Sequence, residues 1–438
     1  MNIVNHSLVK LLILLFSCAG LQAAPNWRDV MGPSQGTIPG PAQSEVEWRD
    51  DLTAALKEAK QKNLPIFITL RCPPCKQCSF FDALVLRGSA AMTPLFKQFV
   101  TVRITNAAEM DHRILPFTGY QDLDVSWWGY FLSPEGRIYG VYGGKDHISD
   151  KTRINEESLV KTMQRVLAHH YDPRRTTWDL EPPAPQLQGK PELATDLPGA
   201  ALYQKDRKDL STQGCIHCHQ VNDMIYRGKQ EEPGFDKTRD VVPWPYPENL
   251  GFKINAEDGL LVESVEPGTP AATAGLLVGD QLKVANGQLL FSEADLRGVL
   301  HRSPQGPAVI TLYVMRNGQP AQAVIKTADE WKKTVLYWRK SIYDGVLGAT
   351  PGFFPLKGPG MGKGSLSLKA FTKGKEKHPA AKAGLRPNQV VVEVNGMNDD
   401  LNTREFLTWF RMNFESGDKV KLTVQQGGKT DEIEYKLP

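Results

Sequence analysis

The stretch Pro65-Ile66-Phe67-Ile68-Thr69-Leu70-Arg71-Cys72-Pro73-Pro74-Cys75-Lys76-Gln77-Cys78 decides how this chain is read. Its first six residues form a short apolar run bounded by proline and arginine, the pattern of a buried strand. Two prolines follow where a helix can begin at no cost, because the first N–H groups of a helix have no internal acceptor. Cys72 thereby falls at a helix N-terminus, where the macrodipole and the adjacent Arg71 favour thiolate over thiol. Cys75 lies on the first turn, near enough to Cys72 to form a disulfide. Cys78 follows three residues later on the same face as Cys75.

Outward from this stretch, strand-like and helix-like runs alternate. Residues 51–62 carry helical periodicity, 72–86 read as a helix, and Phe99 to Ile104 as a strand. Tyr130 to Leu132 and Ile138 to Tyr142 flank a Pro134-Glu135-Gly136 turn, the mark of a hairpin. Residues 156–169 close the unit with an amphipathic helix. The expected domain, 46–171, is an α/β layer structure. A strand running into Cys-x-x-Cys at a helix start resembles the thioredoxins. That resemblance implies that Cys72 is the nucleophile, Cys75 the resolving thiol and Cys78 a second resolver. Arg71 stands where thioredoxins place a tryptophan, and Val125-Ser126-Trp127-Trp128 where they place a threonine and a cis-proline. Three thiols on one helical turn also suit Cu(I) or Zn, and a structural disulfide without turnover is the plainest alternative.

The N-terminus bears on compartment. Residues 1–24 join a short polar start with Lys10, the apolar run Leu11 to Phe16, and small residues at Ala23 and Ala24. That is the pattern of a secretory signal peptide, too short in its apolar part to span a bilayer. The mature chain is expected to be exported to the periplasm with no transmembrane segment. Leu15-Phe16-Ser17-Cys18 also permits lipid anchoring through Cys18, although Phe16 fits that motif poorly. Residues 25–45, rich in Pro, Gly, Ser and Gln, are expected to form a flexible tether.

A Pro-rich linker is expected over 172–198, which holds six prolines. The segment 199–232 then contains Cys215-Ile216-His217-Cys218-His219. Cys-x-x-Cys-His is the attachment pattern of a c-type haem: two thiols add to the vinyl groups, and the next histidine, here His219, ligates the iron. A Zn site using Cys215, Cys218, His217 and His219, or a simple disulfide, satisfies the same residues. Pro233, Pro243, Pro245 and Pro247 bound a second linker over 233–247.

The remainder contains a repeat. Pro270-Ala271-Ala272-Thr273-Ala274-Gly275-Leu276 recurs as Pro379-Ala380-Ala381-Lys382-Ala383-Gly384-Leu385, and Asn286-Gly287 as Asn395-Gly396, both at an offset of 109 residues. Leu250-Gly251-Phe252 followed by Ala274-Gly275-Leu276-x-x-Gly279-Asp280 resembles a PDZ domain, expected over 248–328. The resemblance implies that a peptide is added as a strand to a sheet edge, its terminal carboxylate captured by Leu250, Gly251 and Phe252. A second PDZ-like domain is expected over 329–438, where Asn388-Gln389 replaces Gly279-Asp280 and the carboxylate loop falls between Gly345 and Gly360. Exported PDZ pairs often accompany serine proteases, yet no Gly-x-Ser-Gly-Gly segment occurs in this sequence.

Composition narrows the classes further. With 41% hydrophobic and 23% charged residues over 438, the chain has the means to build cores. Lys+Arg 52 against Asp+Glu 49 leaves a net charge of +3, which gives no electrostatic reason to bind nucleic acid. Six cysteines are too few for a disulfide scaffold of this length. The fold class is therefore multidomain: an α/β thioredoxin-like domain, a small Cys-x-x-Cys-His segment and two mainly-β PDZ-like domains. In motif order the chain resembles the bacterial thioredoxin-like/PDZ domain (seleno)protein family, in its cysteine form. That resemblance implies a thiol redox protein whose partners are protein clients or peptide C-termini. A non-catalytic PDZ scaffold with structural or metal-holding cysteines is the alternative from another class.

Overall fold

The computed structural model describes residues 26–40, 45–70, 81–145, 154–206, 216–241, 244–353, 355–356, 366–368, 377–387 and 389–438. The expectations for Cys72, Cys75, Cys78, Cys215 and the leader with Cys18 lie outside the described residues.

A short helix, α1 (Trp27–Met31), is capped by Asn26. It precedes β1 (Trp48–Arg49) and α2 (Leu52–Lys62). The Asp51 side chain accepts the N–H groups of Thr53 and Ala54, which fixes the start of α2. Asn63 at φ 48° ends it in the left-handed conformation. Then come β2 (Ile66–Leu70), α3 (Met92–Phe96), β3 (Val100–Ile104), the β4 (Ser126–Leu132) and β5 (Ile138–Lys145) hairpin, and α4 (Glu156–His170). The sheet order is β1-β3-β2-β4-β5, with β2 parallel to β3 and antiparallel to β4.

Because successive strand side chains alternate faces, β2 feeds two cores. Ile66, Ile68 and Leu70 join one cluster with Ala55, Leu56 and Ala59 of α2. Phe67 joins the other with Phe96, Phe131 and the α4 residues Leu159, Met163 and Val166. The connection 105–125 carries only the 3₁₀ turn Ala107–Glu109, so part of the first face needs another cover. Two helices from the expected Cys-x-x-Cys-His segment supply it: α5 (Ala200–Asp206) and α6 (Cys218–Lys229), with Ala200, Tyr203, Ile216, Val221 and Met224 all in the first cluster. The described part of the segment belongs to the thioredoxin-like core.

The PDZ region begins with β6 (Phe252–Ile254) and β7 (Val262–Val265), a two-stranded sheet. Helix α7 (Pro270–Thr273), β8 (Gln281–Ala285), β9 (Gln288–Leu289), α8 (Glu293–Arg302), β10 (Val309–Arg316) and β11 (Gln319–Lys326) follow. A further sheet, β12-β13-β14-β15-β16, starts with Pro355–Leu356 and Leu366–Leu368. Its other elements are α9 (Pro379–Lys382), β14 (Val390–Val394), α10 (Thr403–Asn413), β15 (Lys419–Gln426) and β16 (Lys429–Lys436). Their starts repeat those of α7, β8, α8, β10 and β11 at offsets of 109 or 110, so the sequence repeat is a repeat of structure.

Residues 26–40 depart from the expected flexible tether. Trp27 stacks on Tyr313 of β10 with centroids 4.5 Å apart, Met31 is buried, and the Ser34 hydroxyl donates to the Ala168 carbonyl at 2.7 Å. The stacking of Trp27 and the burial of Met31 hold what composition alone reads as loose. The linker 172–198 is likewise packed, with Trp178 buried and Arg137 donating to the Pro182 carbonyl at 2.9 Å.

Candidate functional site

The chain leaves the described residues at Leu70 and re-enters at Phe81. Leu70 lies in register with Ile104 of β3 and Trp128 of β4. Phe81 packs its ring against Trp127, centroids 4.5 Å apart. Trp127 and Trp128 therefore hold the two ends of the segment that carries Cys72, Cys75 and Cys78. Trp127 has φ 60°, a left-handed conformation that is costly for a bulky residue. It is buried, and its indole N–H has no hydrogen-bond partner among the described residues. Strain of this kind persists only where the surroundings impose it, and it gathers at functional sites. Just beyond Phe81, the buried Asp82 pairs with Arg103 at 2.8 Å, and Arg103 lies 4.5 Å over the Trp48 ring.

Ile216 to His219, the described part of the second cysteine motif, lie near the end of the sheet where β2 stops. Ile216 N–H donates to the Asn106 side chain at 3.0 Å, and Ala107 N–H to the Ile216 carbonyl at 3.2 Å. Asn106 and Ala107 follow directly on β3, beside the end of β2. Cys218 is half-buried at the first turn of α6, packed against the cluster that contains Tyr130. Burial, and after it the Cys218 sulfur, pushes the Tyr130 phenol well above its ordinary range. The His217 and His219 rings lie nearly parallel, 5.6 Å apart, and burial lowers the His217 imidazole. Met224 is fully buried in the core. Among the described residues no group of three His, Cys, Asp or Glu side chains is placed to hold a metal ion.

The PDZ loop is built as its residues require. Leu250 and Phe252 are buried, and between them Gly251 sits at φ 90°. A Cβ at Gly251 would come within 2.2 Å of Thr269, so glycine is needed twice over. The Asn249 side chain donates to the carbonyls of Trp331 and Lys333 at 2.9 and 2.7 Å, fastening the chain beyond β11 to this loop. Among the described residues β6 pairs only with β7, so its other edge is the one to which a PDZ domain adds a peptide strand.

A buried charged cluster, absent from the sequence reading, joins these parts. Asp122 receives Arg339 through two bonds of 2.7 and 2.9 Å and Arg297 of α8 at 3.1 Å. Burial would raise the Asp122 carboxyl, but the two guanidinium groups outweigh it and hold the group below the usual range. Asp124 accepts from the Ser341 N–H and hydroxyl and from Asn222 of α6; burial raises its carboxyl. Asp122 and Asp124 thus tie the thioredoxin-like domain to α8, to the segment after β11 and to α6. A second contact lies on the edge strand β5, where Val141 N–H donates to Asp295 at 2.8 Å and the Ser292 hydroxyl to the Val141 carbonyl at 2.5 Å. Partners 98 to 217 residues apart leave no local signal.

Comparison with known proteins agrees with this division. A thioredoxin-like family model matches residues 47–130, and a PDZ domain model matches 249–327. The periplasmic pH-dependent serine endoprotease DegQ of Escherichia coli (strain K12) is 31% identical over 144 residues, 33% of this chain and 30% of that protein. The periplasmic serine endoprotease DegP of the same strain is 29% identical over 144 residues, 33% of this chain and 28% of that protein. The chain therefore spans less than a third of the length of these relatives. Among solved structures, the HtrA-type protease AlgW with decapeptide is 15% identical, covers 29% of this chain and 49% of its own, with a TM-score of 0.19. No helix among the described residues is long and apolar enough to cross a membrane.

Proposed function

We propose that this chain is an exported thiol–disulfide redox protein that recruits protein clients by their C-termini. The observation that carries the reading is the frame at the end of β2. In a thioredoxin-like sheet β2 ends at Leu70, directly before the Cys motif in sequence, and the strained, buried Trp127 packs on Phe81, which follows that motif. The Cys72 thiolate attacks one sulfur of a client disulfide, forming a mixed disulfide and releasing the other client thiolate. Cys75 then attacks the Cys72 sulfur, forming the Cys72–Cys75 disulfide and releasing the second client thiolate. The client is reduced by two electrons and the protein oxidised by two; the reverse sequence oxidises a client. Cys78 serves as a second resolver. The loop Leu250-Gly251-Phe252 and the open edge of β6 receive the client peptide, and tethering raises its effective concentration at the thiols. The repeat from β12 to β16 serves as a second PDZ-like domain. The leader pattern and the periplasmic relatives support a site of action outside the cytoplasm.

A covalently bound c-type haem on Cys215, Cys218 and His219 is the second reading, favoured by the motif spacing and by an exported chain. Two thiols and an imidazole are the right donors, and the group would supply one-electron transfer. The described half of the motif fits it poorly. Cys218 packs against the core that holds Tyr130, and Met224 is buried in the same core rather than turned to an open haem face. No step above depends on it.

The test is disulfide reduction by the reduced, full-length protein, using a fluorescent disulfide peptide. The expected result is turnover abolished by Cys72→Ser and stalled at the mixed disulfide by Cys75→Ser/Cys78→Ser, which removes both resolving thiols. Equal rates in wild type and Cys72→Ser would contradict the assignment. Haem absorption bands in protein matured in a periplasm would establish the second reading.

A further inference from the structure

We propose that the thioredoxin-like domain closes the peptide groove of the PDZ domain, so that a client C-terminus and the docked domain compete for one space. This rests on the peptide-binding reading above and adds its regulation. One wall of the groove is the edge of β6 that pairs with no other strand among the described residues, and the other is α8.

Within the PDZ core, α8 places Leu296, Val299 and Leu300. Yet every residue from Glu293 to Leu300 is buried, so the rest of the helix surface is covered from outside. The cover is the thioredoxin-like domain. Ser292 and Asp295 grip both polar groups of Val141, and Arg297 reaches Asp122.

The same domain blocks one end of the groove. Asn155, which caps α4, donates to the Ala256 carbonyl just beyond β6 at 2.8 Å. Arg165 of α4 holds Asp258 through its backbone and side chain, at 2.9 and 2.6 Å. Between Ala256 and Gly259 on the β6 side and Glu293 and Arg297 on the helix side, roofed by Tyr142 and Ser158, a void of only about 10 Å³ remains. That is room for one water at most. An added strand needs a spacing of about 4.8 Å from β6 along its length.

The other end is flanked by the chain itself. His301 stacks under Trp244 at 4.0 Å and 3°. Lys332 donates to the carbonyls of His301 and Ser303 at the end of α8.

A peptide that binds only the undocked state has its apparent affinity reduced by the fraction undocked, and by linkage its binding drives undocking. Client arrival thus releases the edge strand β5 from α8. The coupling places recruitment and exposure of the redox domain in one step.

Gly140 on β5 offers a wedge. A Cβ there would stand 2.9 Å from both Asp295 Oδ2 and the Phe291 ring, which belong to the PDZ side of the contact. The probe is a fluorescein-labelled pool of decapeptides, randomised except for a C-terminal Val, Leu or Phe, with free or amidated ends. Full-length Gly140→Leu is expected to bind the free-carboxylate pool at least tenfold tighter than wild type. In wild type, saturating free-carboxylate pool is expected to speed amide exchange at Val141, a readout that does not depend on the variant. Equal affinities, with Val141 protection unchanged by peptide, would overturn the closure and leave peptide binding standing. No binding by either chain, or equal binding of the amidated pool, would overturn the peptide-binding reading and the closure with it.

Discussion

The carboxylate of Asp295 accepts the backbone N–H of Val141 at 2.8 Å, across 154 residues of sequence. The same carboxylate accepts the N–H groups of Phe291 and Ser292, so one side chain caps α8 and docks the domain beneath it. Strand β5 lies at the edge of its sheet, where unpaired backbone groups would otherwise invite another chain. Ser292 and Asp295 satisfy that edge within the molecule.

This contact should be sensitive to pH. Burial raises the Asp295 carboxyl to about 7, against the three N–H groups that lower it. An unfolded aspartate titrates near pH ~3.9, so between these values the folded protein binds the extra proton. The stability this group confers is complete below pH ~4 and is lost as pH rises towards about 7, by at most about 1.4 kcal/mol per pH unit. Urea unfolding of wild type and Asp295→Asn from pH 5 to 8 should therefore show wild type losing ground as pH rises. Parallel curves would mean that Asp295 does not titrate in that window.

Asp122→Asn should be more severe. It leaves Arg339 and Arg297 buried with their main counter-charge gone, a loss on the order of 3–5 kcal/mol. Combining it with Arg339→Met should recover part of that loss, because the pair is then removed together. Equilibrium unfolding of the two variants checks both statements, and a cost below about 1 kcal/mol for Asp122→Asn would show that the cluster is not a buried ionic one.

The local parts of the molecule were legible and the long-range joins were not. Strand β2, the β4–β5 hairpin and helices α2 and α4 follow from alternation, turn residues and helical spacing, and lie within a few residues of where those patterns put them. Leu250-Gly251-Phe252 was readable because a left-handed glycine between two buried apolar residues is a local requirement. Ser292 and Asp295 read in sequence as an ordinary helix cap, and nothing nearby reveals that Val141 is their second partner. Trp27 among prolines and glycines reads as tether until Tyr313 of β10 is seen beneath it. Val221 and Met224, three residues apart on one helix face, mark α6 as a packing helix of the thioredoxin-like core.

Trp127 separates packing from chemistry. Trp127→Ala should cost about 3–5 kcal/mol, since the ring fills the space between Phe81 and Tyr142. Trp127→Phe should keep the fold within about 1.5 kcal/mol, because the buried indole N–H has no described partner to lose. Thermal unfolding distinguishes them. If Trp127→Phe proves as damaging as Trp127→Ala, the indole makes a contact that matters.

The central claim is that Cys72 exchanges disulfides with clients recruited by the PDZ loop. Periplasmic expression of Cys75→Ser/Cys78→Ser, followed by non-reducing electrophoresis and mass spectrometry, tests it most directly. The account predicts client proteins joined to Cys72 through mixed disulfides that disappear on reduction and in the Cys72→Ser/Cys75→Ser/Cys78→Ser triple variant. Cys75→Ser/Cys78→Ser protein that carries no client, or clients retained in the triple variant, would contradict it.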